Sequence, residues 1–512
     1  MKIFARGRLL NRIEKNFLRL EGDFYQPDEM FADKNSAWPG DWTGRTLLAF
    51  AWHEKTLGRR HRFMDEYLRR LPSVLNEYLY FGAPLKETHV NEQGIAGNSW
   101  FLRAMCLRWR ESGDADALRI VRTASRHIAS VLDKTIACYP VRRESLIFGK
   151  EAGEIVLSGG CWQMSSDIGC VYIGLDGLTD AYEITQDEIV GQALRKMIEH
   201  FAVTDLLENH FQTHASLSAT RGILRFYRVT GETKYLELAR KVFELYLKEG
   251  MTLNFANINW FGYGDWTEPC AIVDSFLVAD QLFRITEEYI YLRTAQRILY
   301  NALLFAQREN GGFGCDNCVV PGQPRLSVRE SSYEAYWCCS MRGAEGLGYL
   351  NFAACEETPG GARIFYLNPA EISMHGGALR FEITGDFPFG DAVIRFENSR
   401  KDTTLDIETV LPVRELHVKG CGARVEENRI VLENLSKGEV RISFDAKTER
   451  TELVGGICYD HGLLRLCLPE AEQDYDYADY ITYFDGKKLM NIPDGLRIPT
   501  ETALGQKFRV LF

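Results

Sequence analysis

Two adjacent thiols, Cys338 and Cys339, follow the aromatic pair Tyr336-Trp337. Cα atoms joined by a trans peptide lie about 3.8 Å apart, short of the roughly 4.4–6.8 Å that a disulfide spans. The spacing therefore favours free or metal-bound thiols over a bridge. Upstream, Thr267-Glu268-Pro269-Cys270 sets a carboxylate and a third thiol two residues apart. Together Glu268, Cys270, Cys338 and Cys339 supply one oxygen and three sulfurs, a donor set that suits tetrahedral zinc. The competing reading is plainer: free cysteines are often small buried hydrophobes. The two halves also lie far apart in sequence, unlike a paired CxxC signature. One CxxC does occur, Cys315-Asp316-Asn317-Cys318, in a Gly-rich loop. Without a second pair it reads as loop thiols near the site rather than as a metal or redox motif.

The order Glu-x-Cys, then a helix from Ile272-Val273-Asp274 to Asn301-Ala302-Leu303, then Cys-Cys, resembles glycoside hydrolase family 127. These are the β-L-arabinofuranosidases and their relatives. The resemblance spans roughly residues 36 to 355. It implies an (α/α)6 barrel of helical hairpins and a Zn2+ ion held by Glu268, Cys270, Cys338 and Cys339. It also implies that Cys338 attacks the anomeric carbon. The expected activity is a retaining glycosidase that releases a terminal sugar, such as β-L-arabinofuranose or a related plant sugar, from an oligosaccharide or glycoside.

Glycosidases usually work with two carboxyl groups, and here a thiolate takes the place of one; the family's proton donor is a glutamate about sixteen residues before Glu-x-Cys. The corresponding stretch, Met251-Thr252-Leu253-Asn254-Phe255-Ala256-Asn257-Ile258-Asn259-Trp260-Phe261-Gly262, holds no Asp or Glu. Asp265 is the nearest loop carboxylate and the expected acid. Glu334 and Glu345, flanking the thiol pair, are the alternatives.

Trp38-Pro39-Gly40-Asp41-Trp42-Thr43-Gly44-Arg45 resembles the loop and helix start at the family's barrel mouth. That implies Trp38 and Asp41 as sugar contacts, although Asp41 fits a helix cap equally well. Thr213-His214-Ala215 resembles the family's His-Ala segment and nominates His214 as a substrate contact. Trp100 and Trp162 begin hairpins and suit core packing better than a sugar platform. Two rival functions stand beside the glycosidase. One is a sugar epimerase or unsaturated-uronide hydrolase on the same barrel, which gives no reason for clustered thiols. The other is a non-catalytic, zinc-stabilised sugar-binding protein, which the absent loop glutamate supports.

These residues need elements to position them. Up to about residue 355 the chain is mainly helical by apolar periodicity, beginning with Leu9-Leu10, Ile13, Phe17-Leu18 and Leu20. Helix pairs meet at Ser112-Gly113-Asp114, Thr185-Gln186-Asp187, Thr230-Gly231-Glu232 and Thr286-Glu287-Glu288. An earlier pair turns near Thr56-Leu57-Gly58. At least five hairpins result, at intervals of roughly 45 to 75 residues, longer and less regular than solenoid repeats. From 356 to 450, alternating runs such as Ala378–Ile383 and Glu439–Phe444 predict an antiparallel β-sandwich. Residues 451–512 are expected to form a β-rich segment packing on the sandwich or the barrel.

The bulk numbers agree with this plan. At 512 residues the chain exceeds one compact core, so two or three domains are expected. A formal charge of −11 argues against a nucleic-acid partner, which needs a basic face. No run of roughly 18 apolar residues predicts a membrane span. The N-terminus lacks a secretory pattern. Thirteen cysteines are an odd number for a disulfide framework and fit reduced thiols in a cytoplasmic setting. A homodimer is left open.

Overall fold

The computed structural model describes residues 1–32, 37–141, 155–470 and 507–512. Residues 471–506 of the expected C-terminal segment lie outside the described residues.

Among the described residues, twelve helices of ten residues or more build the first part: α1 (Gly7–Leu20), α2 (Asp41–Leu57), α3 (Met64–Val74), α4 (Glu92–Ser112), α5 (Ala115–Thr135), α6 (Gly174–Thr185), α7 (Glu188–Ala202), α8 (Thr213–Thr230), α9 (Thr233–Glu249), α10 (Pro269–Thr286), α11 (Tyr289–Ile298) and α12 (Cys339–Ala353). The even-numbered helices form an inner ring. Each packs on the next, and α12 returns to α2 to close it. They are buried around most of their circumference: α10 keeps every residue from Pro269 to Phe283 out of water. The outer helices show one apolar stripe. Along α5 the buried positions Ala117, Ile120, Val121, Ala124 and Ile128 recur at helical spacing.

Four hairpin turns share one device. The middle residue of each (Gly113, Gln186, Gly231 and Glu287) adopts the left-handed conformation that ends a helix. The acidic residue after it becomes the N-cap of the next helix. Asp114 and Asp187 accept hydrogen bonds from the backbone N–H groups they cap.

The sixth hairpin is not sequential. Helix α1, near the start of the chain, packs against α12, more than three hundred residues later. The strand Lys2–Ala5, inside the stretch that reads as helical, pairs antiparallel with Ala370–Met374. It forms the edge of a six-stranded sheet that continues through Leu379–Gly385, Ala392–Asn398, Lys437–Phe444 and Val413–Lys419. A five-stranded sheet runs Gly422–Val425, Arg429–Glu433, Thr404–Glu408, Gly361–Ile364 and Cys355–Thr358. Near the C-terminus, Lys507–Arg509 pairs with Arg325–Ser327 from the loop preceding α12.

Candidate active site

The inner helices all begin at the same mouth of the ring, and the sequence-predicted residues collect there. Pro269 occupies the first turn of α10, where a missing N–H costs nothing, and Cys270 follows it. Glu268 is the N-cap residue, its N–H donating to Asn257 Oδ1 at 2.8 Å. Cys338 is the N-cap residue of α12, and Cys339 opens that helix. Three thiols thus stand at two helix N-termini, where the helix dipole favours negative charge.

The sulfurs converge. Cys338 Sγ lies 3.3 Å from Cys339 Sγ, and Cys270 Sγ lies 3.6 Å from Cys339 Sγ. Cys270 and Cys339 are fully buried, while Cys338 is half-buried. Such a group can hold a metal ion. A second triad, His214, Glu268 and Cys270, shares one of these sulfurs.

Charges surround the cluster. The Arg45 guanidinium donates to Cys270 Sγ at 3.4 Å and lies over the Trp100 ring at 4.2 Å. Its Nε is 2.9 Å from both oxygens of Asp41, one turn earlier on α2. Hydrogen bonds from the Cys270 and Cys339 thiols, aided by Arg45, overcome burial and hold the Cys338 pKa below the ordinary thiol value. Burial, with neighbouring thiols, pushes Cys339 up. Both shifts favour the thiolate at Cys338, the most open of the three sulfurs, over Cys339. His214 sits between two carboxylates, with Nδ1 3.2 Å from Glu268 and Nε2 3.4 Å from Asp274. Burial opposes its protonation, but Glu268 and the charges near it outweigh that and raise its pKa.

Beneath this level, Arg103, Arg221 and Arg342 meet Asp176, Asp274 and Glu345 in a buried network. Arg103 Nε is 3.0 Å from Asp176; Arg221 is 2.6 Å from Asp274 and 2.7 Å from Glu345. Arg342 pairs with both Asp274 and Glu345. Every inner helix except α2 contributes, and the network closes the barrel axis below the thiols.

Above the cluster opens a cleft of about 530 Å³. Trp38, Asp41, His214, Glu268, Cys338 and Cys339 all line it. Asp41 does not cap its helix. Gly40 is the N-cap residue, and the Asp41 carboxylate is committed to Arg45. Trp100 and Trp162 are core side chains, 0% and 1% exposed.

The carboxylates expected as proton donors are not among the residues lining the cleft. Asp265 is 41% exposed and pairs with Arg329 at 3.3 Å. Glu334 is bound by Arg19 at 2.8 Å and accepts from Ser340. Glu345 is locked in the buried arginine network.

Several lining residues escape sequence reasoning. Arg45 could have been found from its i,i+4 spacing to Asp41. Trp42, Trp266 and Trp337 join Trp38 as indoles on the cleft wall, but isolated tryptophans carry no signal of their own. Asp167 also lines the cleft, and nothing in Ser165-Ser166-Asp167-Ile168-Gly169 marks it. Of the CxxC, Cys315 reaches the cleft, whereas Cys318 is buried and points at Asn257 O.

An inner ring of helix N-termini bearing thiols, a carboxylate and a histidine around an indole-lined cleft defines an (α/α)6-barrel architecture with a β-sandwich attached. Among solved structures the chain is similar to Ara127N-Se, a GH127 β-L-arabinofuranosidase from Geobacillus stearothermophilus T6. The TM-score is 0.66 at 13% identity, over 92% of this chain and 87% of that one. It is also similar to a second GH127 β-arabinofuranosidase, with TM-score 0.63 at 12% identity, over 90% and 79% of the two chains. A structure described as a glycoside hydrolase gives 0.66 at 11% identity, over 91% and 82%. The fold expected from the resemblance is thus found. No family model matches the sequence. No curated protein matches it either.

Proposed function

We propose that the protein is a retaining glycosidase that releases a terminal sugar, with Cys338 as nucleophile and zinc as its metal. The observation that carries this reading is the convergence of Cys270, Cys338 and Cys339 at the floor of a cleft, with only Cys338 half-open to it. Two sulfurs bound to one zinc at about 2.3 Å stand about 3.8 Å apart across a tetrahedral angle. The observed separations of 3.3 and 3.6 Å approach that edge. Cys270, Cys338, Cys339 and the Glu268 carboxylate would hold the ion. When bound, it keeps the thiols ionised at neutral pH.

The protein's own groups do the rest. Cys338, held as the favoured thiolate by its two sulfur neighbours and Arg45, attacks the anomeric carbon from the cleft floor. The bond to the leaving oxygen breaks, and the sugar remains on sulfur until water displaces it, so configuration at the anomeric carbon is retained. The indoles of Trp38, Trp42, Trp266 and Trp337 offer apolar walls to sugar C–H faces. Asp41 and His214 offer polar groups for hydroxyls. The substrate class we propose is a β-L-arabinofuranoside or related plant-derived glycoside, following the GH127 structures that share the fold.

The test is a screen of 4-nitrophenyl glycosides, furanosides included, with and without a chelator. Wild-type protein should turn over one of them. Chelation should abolish turnover, and metal analysis should return about one zinc per chain. Cys338→Ser should lose about 10³-fold or more in kcat while the Tm stays close to wild type. Full turnover by Cys338→Ser sinks the mechanism.

A non-catalytic, zinc-stabilised sugar-binding protein remains the second reading. It is supported by the carboxylate-free stretch 251–262 and would bind sugar equally well in wild type and Cys338→Ser, with no turnover in either.

A further inference from the structure

Two side chains on the cleft wall carry acceptor atoms that the fold does not pair. Gln212 and Asn259 both line the cleft, and they are only 5% and 1% exposed. Gln212 Oε1 and Asn259 Oδ1 are buried and have no hydrogen-bond partner among the described residues. A buried acceptor left unpaired destabilises a fold, so each one calls for an explanation. A donor on a ligand in the cleft supplies it.

Both residues are anchored by their backbones. Gln212 is the N-cap residue of α8, yet its side chain does not cap that helix. Its N–H donates to Ile168 O at 3.0 Å, and its carbonyl accepts from Ser216 N–H at 3.1 Å. The side-chain Nε2 donates to Glu268 Oε2 at 3.4 Å. A carboxylate only accepts, so Glu268 sets which way the amide points and leaves Oε1 for a donor. Through Glu268, Gln212 adjoins the triad of His214, Glu268 and Cys270, whose ligand atoms lie within 4.8 Å of one another. Asn259 is tied to the same region: its carbonyl accepts from Thr213 N–H at 3.0 Å, one residue before His214. Asn257 uses its amide on Thr213 Oγ1 and on the Glu268 N–H. Asn259 Oδ1 has no such structural task. The last torsion of an Asn or Gln side chain is broad, so a small turn brings the oxygen to the cleft face.

We infer that Gln212 and Asn259 are specificity-determining residues, each accepting a hydrogen bond from a hydroxyl of the bound sugar, an inference that rests on the glycosidase reading of the site. Arg45 and Arg329 also line the cleft, but Asp41 and Asp265 hold them. Neither is free for an anionic group. The wall suits a neutral sugar, whose hydroxyls donate, over a uronic acid, whose carboxylate would face acceptor oxygens. A sugar lacking the hydroxyl leaves the acceptor unpaired and is rejected for that reason.

The experiment measures kcat/KM for wild type, Gln212→Met and Asn259→Leu on 4-nitrophenyl β-L-arabinofuranoside and its 2-, 3- and 5-deoxy derivatives, with the Tm of each protein. Each variant should lose about 10–100-fold on the parent glycoside. On the derivative lacking the hydroxyl that its residue reads, the variant should match wild type, because both partners of the bond are gone. The ratio of variant to wild type cancels each substrate's own reactivity. Asn259→Leu should keep or raise the Tm, since an unpaired buried oxygen gives way to a methyl group. Wild type alone gives a check that needs no variant: at least one derivative should lose about 10–100-fold against the parent. Equal losses on all four substrates mark a merely structural role and remove that residue. No loss by either variant on the parent, or full wild-type rates on all three derivatives, overturns the assignment while the glycosidase reading stands. Wild type inactive on the parent furanoside overturns this substrate class and the assignment with it.

Discussion

At the scale of single residues, Arg45 connects the expected sugar contact to the expected metal cluster. Its guanidinium is buried between Asp41, the Trp100 ring and Cys270 Sγ. Removing one member of a buried pair strands the other charge, which costs about 3–5 kcal/mol, whereas replacing both members costs far less. Arg45→Met should therefore destabilise the protein by about that amount in urea unfolding. The double variant Asp41→Asn, Arg45→Met should recover much of the loss. Equal loss in both would show that the pair contributes nothing as a pair. The thiols themselves are legible in the sequence, because adjacency disfavours a disulfide and Glu-x-Cys brings a second donor pair. Arg45 is legible only through its i,i+4 spacing to Asp41, and Asp167 is not legible, since a lone charged residue has no distinctive spacing until the fold names its neighbours.

At the scale of elements, close approach of the inner helices sets the barrel's width. A Cβ added at Gly222 on α8 would lie 2.7 Å from the carbonyl carbon and oxygen of Leu175 on α6, a backbone contact that no rotamer change relieves. Gly222→Ala should cost about 1–3 kcal/mol, read as a lower urea midpoint with an unchanged slope. A neutral result would mean that α6 and α8 slide apart freely. The hairpin turns show how much of the element level the sequence carries. The small-or-polar turns at 112–114, 185–187, 230–232 and 286–288 each end one helix and cap the next. Such local signals depend only on backbone conformation and nearby side chains, so they survive without tertiary context. The strand Lys2–Ala5 is different. Four residues of alternation vanish beside the strong helical stripe of α1, and only pairing with Ala370–Met374 reveals them.

For the whole molecule, the buried network ties stability to pH. Burial opposes ionisation of Asp176, but Arg103, Arg221 and Arg225 outweigh it and hold its pKa below the ordinary carboxylate value. Asp274 is depressed in the same way by Arg342 and Arg221. Groups whose folded pKa is depressed stabilise the protein above their unfolded pKa of about 3.9. That stability is lost as pH falls below this value toward the depressed folded values. These two carboxylates should therefore leave the Tm unchanged between pH 7 and pH 5 and steepen its fall below about pH 4. An Asp274→Asn variant should show a shallower fall. An unchanged slope in that variant would remove Asp274 from the account.

The sequence by itself determined the helical hairpins, the change to β texture after residue 355 and the identity of four candidate metal donors. All of these follow from periodicity, turn chemistry or residue type, which act over a few positions. The tertiary structure decided what those signals leave open. It joined the first helix to the last inner one, brought the starts of the inner helices to one mouth and left Cys338 as the most open of the three sulfurs. It also chose which carboxylates face the cleft and which are neutralised by arginine. Those outcomes depend on contacts between segments hundreds of residues apart, and burial and charge pairing have no local signature in the chain.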